Sequence, residues 1–482
     1  MNWRRLPILV AVVGAMAALV LVGREAVSPS PPVFSTISAP WMPALPVPGG
    51  LTSSWFCPGV PASGEDGVGG ELVIANAGAS ALDATVTLLA GPGEAVEQAV
   101  TVPPRGREVV DVDAAVTAEY VGAMVEIQGG GGLVEQRALH PEGMSVAACA
   151  NAPASSWYLA EGFTAEGSVE QLVLSNPYDE SAIVDIGFAT EEGSRQPAEL
   201  QGYPVPPQSV KVIDLATIAA RDEPEVAVNV VATRGNLVVG RAQVYNGGGR
   251  RGFGVTLASP ALRDQWWFAN GERASDVTEQ YSIYNPTDED VEVTVVPLGI
   301  PLTEELVTIE PIAAPAHQVV TFSPDDLAGL PNGRHAMVFS TGGEQSIVVE
   351  QAFTRTIDER PTTSVLLGAP PRLADGYVAT TWSTAIGPGA PTPDALVVYN
   401  VDNADATVSV QTVGENGVAD VPSLAAINLP ASGLITIDLS ERTVLDGQLI
   451  IRSTSRVFVV RQLPREPDAQ GRTSSWAVPA AG

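Results

Sequence analysis

Along most of this chain the apolar residues come in short runs of about five to seven, broken by Gly, Pro, Asn or Asp. In residues 292–296 (Glu-Val-Thr-Val-Val) and 434–438 (Leu-Ile-Thr-Ile-Asp) apolar and polar positions alternate, so one face of an extended strand can turn inward. Helical periodicity is scarce. Ala-rich pieces such as 215–220 read as a helical turn within a crossover. The pattern predicts an all-β protein.

The exception is the N-terminus. Trp3, Arg4 and Arg5 precede an unbroken apolar run over 6–23, and eighteen helical residues reach about 27 Å, near the hydrocarbon thickness of a bilayer. The arginines before the run, against Arg24 offset by Glu25 after it, place the N-terminus in the cytoplasm and the rest outside. Residues 1–25 are therefore expected to be a single-pass transmembrane anchor at the cell membrane, with a cleaved signal peptide as the alternative. Residues 26–52 carry Pro29, Pro31, Pro32, Pro40, Pro43, Pro46 and Pro48 and read as an extended stalk.

Beyond the stalk the pattern repeats. Residues 157–162 read Trp-Tyr-Leu-Ala-Glu-Gly and 266–271 read Trp-Trp-Phe-Ala-Asn-Gly, while 382–387 keep Trp382, Ala385 and Gly387. Residues 55–59 (Trp-Phe-Cys-Pro-Gly) are a shortened version. An apolar strand ending in asparagine comes after each, at Asn76, Asn176, Asn285 and Asn400, 18 to 21 residues past the tryptophan. A proline turn comes next, then an apolar strand that ends in a polar residue, as in 133–137, 237–241, 347–351 and 457–461. The period of about 100 to 115 residues predicts four tandem immunoglobulin-like β-sandwich repeats, over 53–153, 154–262, 263–374 and 375–482. A β-propeller is second, since its blades repeat at less than half that spacing. The four sandwiches are expected to form a rod.

Cys57 opens the first repeat and Cys149 closes it, which predicts a disulfide outside the cytoplasm; two free buried thiols are the alternative. The Trp-Tyr-x-Ala-Glu-Gly opening and the strand end at 172–177 (Leu-Val-Leu-Ser-Asn-Pro) resemble a repeat of exported actinobacterial proteins. The anchor with several copies after it is similar to an actinobacterial family of membrane-anchored proteins of unknown function. The resemblance covers about 53–482, strongest in the second and third copies, and implies an envelope setting and work beside machinery that decorates the wall with sugars. It supplies no catalytic residues.

Composition narrows the function. The formal net charge of −30, with 55 acids against 25 bases, argues against nucleic acid. His140, His317 and His335 lack metal-ligand spacing, and the acidic turns at 179–180, 288–290 and 402–405 read as turns before calcium sites. Glycine runs at 129–132 and 247–249 lack the Lys of a phosphate loop and read as hairpin turns. No metal or other cofactor is expected. Trp55, Trp157, Trp266 and Trp382 are read first as packing residues and second as faces that could stack on sugar rings. The expected function is a non-catalytic envelope protein that binds or scaffolds, with wall glycan or an envelope membrane protein as partner. The alternatives are a carbohydrate-active enzyme with carboxylates at a repeat junction, or a structural spacer.

Overall fold

The computed structural model describes residues 43–46, 49–218, 220–301, 306, 309–343, 346–370, 379–465 and 471–480. The expected anchor at 6–23, and the stalk up to residue 42, lie outside the described residues. Among the described residues no helix is long and apolar enough to cross a membrane.

The described chain is nearly all β, in eight antiparallel sheets that belong to four consecutive segments, 52–148, 156–257, 265–367 and 381–479. Each segment contributes two sheets. In the first, one sheet runs Thr52–Ala62, Ala118–Gln128, Leu82–Leu89, Val96–Val102, and the other runs Gly106–Asp111, Gly69–Asn76, Leu133–Leu139, Ser145–Ala148. The same strand order recurs in the other three, with short extra strands in the second and fourth. This partition differs from that of an immunoglobulin constant domain, where the first and second strands share a sheet. Here the first strand pairs with the sixth, and the second pairs with the seventh.

Alternation appears where one face meets solvent: Val291–Leu298 buries every second residue. The strands ending in asparagine are instead buried almost throughout, as in Gly69–Asn76, because their sheets are covered on both faces. The asparagines hold the repeat together. Asn176 Nδ2 donates to the carbonyls of Glu180 (2.7 Å), Val205 (3.1 Å) and Pro206 (3.0 Å), while its Oδ1 accepts from Tyr178 N–H (3.1 Å). Asn76, Asn285 and Asn400 do the same with Ser80 and Pro103, Glu289 and Ala314, and Ala404 and Pro430. One amide thus closes the turn and clips the proline turn onto it. The helical turn expected at 215–220 is present as Leu215–Ile218. The glycine run at 129–132, all at positive φ, links two strands.

The segments do not form a rod. The last strands of all four, Ser145–Ala148, Arg250–Leu257, Arg360–Leu367 and Arg472–Trp476, pack on one another, first to second, second to third, third to fourth and fourth to first. The result is a closed ring. The end of the expected stalk belongs to it: Leu45 makes a parallel bridge to Ala480, and Ala44 N–H donates to Asn151 Oδ1 (2.7 Å). The rod expectation fails because a repeat period carries no information about which copies touch.

Candidate functional site: the axial cavity and the segment junctions

The four tryptophans lie in the cores, with exposures of 0–1%. Three indole N–H groups donate to the carbonyl that opens the apolar strand at the segment's end: Trp157 to Leu237 (3.0 Å), Trp266 to Ile347 (2.9 Å) and Trp382 to Val457 (3.1 Å). Trp55 is equally buried, without a hydrogen-bond partner for its indole nitrogen among the described residues. No face of Trp55, Trp157, Trp266 or Trp382 is open to a sugar ring, which corrects the stacking expectation. Cys57 and Cys149 form the expected disulfide. It ties the first strand to the segment end, beside the bridge between Phe56 and Ala150.

The residue three positions past Trp55, Trp157 and Trp382 matters more than the indole itself. It faces the neighbouring segment, at the site occupied by Gly240, Glu350 or Glu135, which share one ladder position with Val460 of segment four. Between segments two and three, Glu350 Oε2 accepts the backbone N–H groups of Ala160 (2.7 Å) and Glu161 (2.8 Å), and Arg241 grips its two oxygens at 3.2 and 3.1 Å. Between segments one and four, Glu135 Oε2 accepts those of Ala385 (2.8 Å) and Ile386 (3.1 Å), and Arg461 grips it at 3.0 and 2.8 Å. In segments two and four the Trp-x-x-Ala pattern therefore builds a two-amide seat for a carboxylate from the adjoining segment. Where segment two meets segment one there is no carboxylate. A Cβ on Gly240 would stand 2.7 Å from Pro58 Cγ, so glycine makes room for the proline of the shortened motif.

The motif's closing glycine also has a steric reason. A Cβ at Gly162 would lie 2.1 Å from Glu170 Oε2, and one at Gly271 would lie 2.5 Å from His335 Nε2. Burial raises the Glu170 carboxyl well above its usual range, and Arg241 only partly offsets that. Burial likewise pushes Glu225 up to about 7. Burial opposes the Arg241 charge, but Glu350 and Glu161 outweigh it and hold its pKa above the ordinary value. In segment three, Glu279 lies 3.3 Å from His335 Nε2.

At the centre of the ring, the four last strands line a cavity of about 90 Å³. Val146, Val255, Val365, Trp476 and Val478 give it an apolar wall, and Pro43 lies among its lining residues. One guanidinium near the hairpin ends of these strands ties the four segments together. Arg465, in segment four, donates to the carbonyls of Glu142 (3.1 Å), Phe253 (3.1 Å) and Thr363, which belong to the first, second and third segments or their turns. Burial lowers its pKa to about 10, still far above neutrality. Gly252 is required beside it: at φ 130°, a Cβ there would lie 2.3 Å from Arg465 Nη1.

Sequence reading marks Arg241, Gln351 and Arg461 only as polar strand ends, and it passes over Glu135, Glu350 and Arg465. The available signal is an acid or base inside an otherwise apolar run, a place where ionisable residues are seldom buried unless paired. Chemically, the junctions offer satisfied ion pairs, and the axis offers a small apolar space. Among the described residues no group of three or more His, Cys, Asp or Glu is arranged to hold a metal ion.

Comparison with known proteins adds little chemistry. Residues 135–240 match a family of unknown function (DUF5719), a stretch running from Glu135 in segment one to Gly240 in segment two. No curated protein matches the chain. Among solved structures, it is similar to Thermotoga maritima 1070, with 16% identity over 22% of this chain and 93% of that one, and a TM-score of 0.19. It is also similar to a tetra-tandem repeat from the extending region of a large adhesion protein, with 11% identity over 85% of this chain and 95% of the other, and a TM-score of 0.11. At those scores neither likeness carries an argument about fold or function.

Proposed function

We propose that this chain is a non-catalytic protein of the cell envelope that binds or scaffolds. Its four sandwich copies, immunoglobulin-like in size though not in strand partition, close into a ring that residues 6–23 hold outside the membrane. The partner on this reading is wall glycan or an envelope membrane protein. One observation carries it: two buried ion pairs, Glu135 with Arg461 and Glu350 with Arg241, join one segment to another at 0–2% exposure. Groups so placed shape a rigid body and are closed to substrate. The test is cosedimentation of residues 43–482 with washed, protein-free cell walls. Saturable pelleting competed by soluble wall sugars supports wall recognition; protein that stays in the supernatant removes it and leaves crosslinking to envelope proteins as the next test.

The carbohydrate-active alternative keeps one specific observation, since four glutamates gather at the junction of segments two and three. Glu161, Glu170, Glu225 and Glu350 are each at most 4% exposed, so a sugar would reach them only if that junction opened. Release of reducing ends from wall glycan, abolished by Glu225→Gln, would establish this alternative over the scaffold.

A further inference from the structure

The two carboxylate-seated junctions are built alike but charged differently. Between segments four and one, Glu135 meets Arg461, which also bonds Ser475 Oγ and the Ile386 carbonyl. Arg107 donates to the Ala385 carbonyl (3.4 Å) among Arg137, Glu71 and Asp446, so three carboxylates face three guanidiniums. That seam is balanced.

Between segments two and three, four carboxylates meet two guanidiniums. Glu350 is held by Arg241, and Glu161 accepts from Arg250 (2.7 Å) and Tyr245 Oη (2.7 Å), with Arg241 at 3.7 Å. Glu225 lies 3.6 Å from Arg250 and accepts from Ser282 Oγ (3.0 Å) and the Gln280 amide of segment three. Glu170 is 1% exposed, and neither of its oxygens has a hydrogen-bond partner among the described residues. The charged and titratable groups facing it are Arg241, Glu161, Glu350 and Glu225. With every acid ionised, two negative charges would be left uncompensated at low dielectric, an arrangement that expels the charge or the water-free packing.

We propose that the junction of segments two and three is a proton-loaded latch: it closes with protons retained on Glu170 and Glu225, and loosens as those protons leave, while the balanced junction of segments four and one stays shut. The ring then opens at one seam as pH rises. Opening would expose the acidic wall formed by Glu161, Glu170 and Glu225 on one side and the Glu350 face on the other. The latch stands on the packing alone and is independent of what the protein binds.

Hydrogen exchange of the full chain, corrected for the intrinsic pH dependence of the amides, separates the seams. Each proton lost on opening steepens the opening equilibrium tenfold per pH unit. Opening at Ala160 and Glu161, whose amides donate across the seam, is expected to rise at least tenfold between pH 6 and 8, while Ala385 and Ile386 change less than threefold. Glu225→Gln lowers the slope, and Glu170→Gln together with Glu225→Gln abolishes it. A flat profile at Ala160 and Glu161, or the same slope at both seams, overturns the proposal. The comparison of seams needs only the unaltered protein, so it decides even where the double variant fails to fold.

Discussion

Arg461 and Glu135 are 326 residues apart in the chain, yet their side chains meet in a two-pronged pair with its shorter contact at 2.8 Å. Both are at most 2% exposed. The pair joins the last segment to the first, so a chain of repeats becomes a closed body. Charges at that depth give little net stability as a pair, but either one alone is costly to leave behind.

Glu135→Ala leaves the Arg461 guanidinium buried against two backbone amides, and Arg461→Ala strands the carboxylate. Each is expected to destabilise the protein by about 3–5 kcal/mol. Paired replacement by apolar residues of similar volume is expected to cost less than the sum. A double-mutant cycle by urea unfolding checks this, and purely additive losses would contradict the pairing.

Arg465 makes the complementary prediction at the axis. Arg465→Met keeps much of the volume but leaves the carbonyls of Glu142, Phe253 and Thr363 without their donor. At about 1 kcal/mol for each lost bond, the expected loss is about 3 kcal/mol. Gly252→Ala should reproduce a large part of it by displacing the same guanidinium. Thermal unfolding of both variants is the check, and a melting temperature unchanged in both would remove Arg465 from this role.

Much of this fold is legible in the sequence, and the missing part has a physical cause. The asparagines and the proline turns stand out as landmarks because each acts within its own segment, at nearly fixed spacing. Trp157 and Trp382 stand out for the same reason, and their packing role agrees with burial that a periodic pattern can suggest. Glu135 and Arg461 act between segments, and no spacing rule links positions whose contact depends on how four bodies close. Arg465 is hidden further, because it sits past Pro464, beyond the repeating strand, and serves all four segments from a single copy. The rod expectation fails at the same step.

The Cys57–Cys149 bond spans 92 residues of the first segment. In the chain-entropy view, closing such a loop contributes up to about 4.5 kcal/mol. Cys57→Ala with Cys149→Ala should therefore lower stability by a few kcal/mol while leaving the ring assembled, because neither sulfur bridges segments. Unfolding with and without reductant measures this, and no difference would show that the unfolded chain is already constrained there.

A second titration belongs to segment three. Burial opposes both charges of the Glu279–His335 pair, but their mutual attraction wins: the carboxyl stays below its ordinary value of 4.5 and the imidazole above its ordinary value of 6.5. The glutamate's contribution is present above about pH 4.5 and is lost as pH falls through its lowered folded value. The histidine's is complete below about pH 6.5 and is lost as pH rises through its raised folded value. The stability difference between the protein and its His335→Gln variant should therefore be largest between about pH 4.5 and 6.5. A difference that does not vary with pH would contradict the pair.

Closure into a ring is the claim on which the junctions, the axial guanidinium and the latch all depend, and small-angle X-ray scattering of residues 43–482 tests it most directly. A compact body of about 440 residues has a radius of gyration of about 22 Å. Four sandwiches end to end, each roughly 30 Å long, make a rod of roughly 120 Å with a radius of gyration of about 35 Å. The ring predicts a value near 22 Å and a single compact distance distribution; a value near 35 Å with a long tail would contradict it.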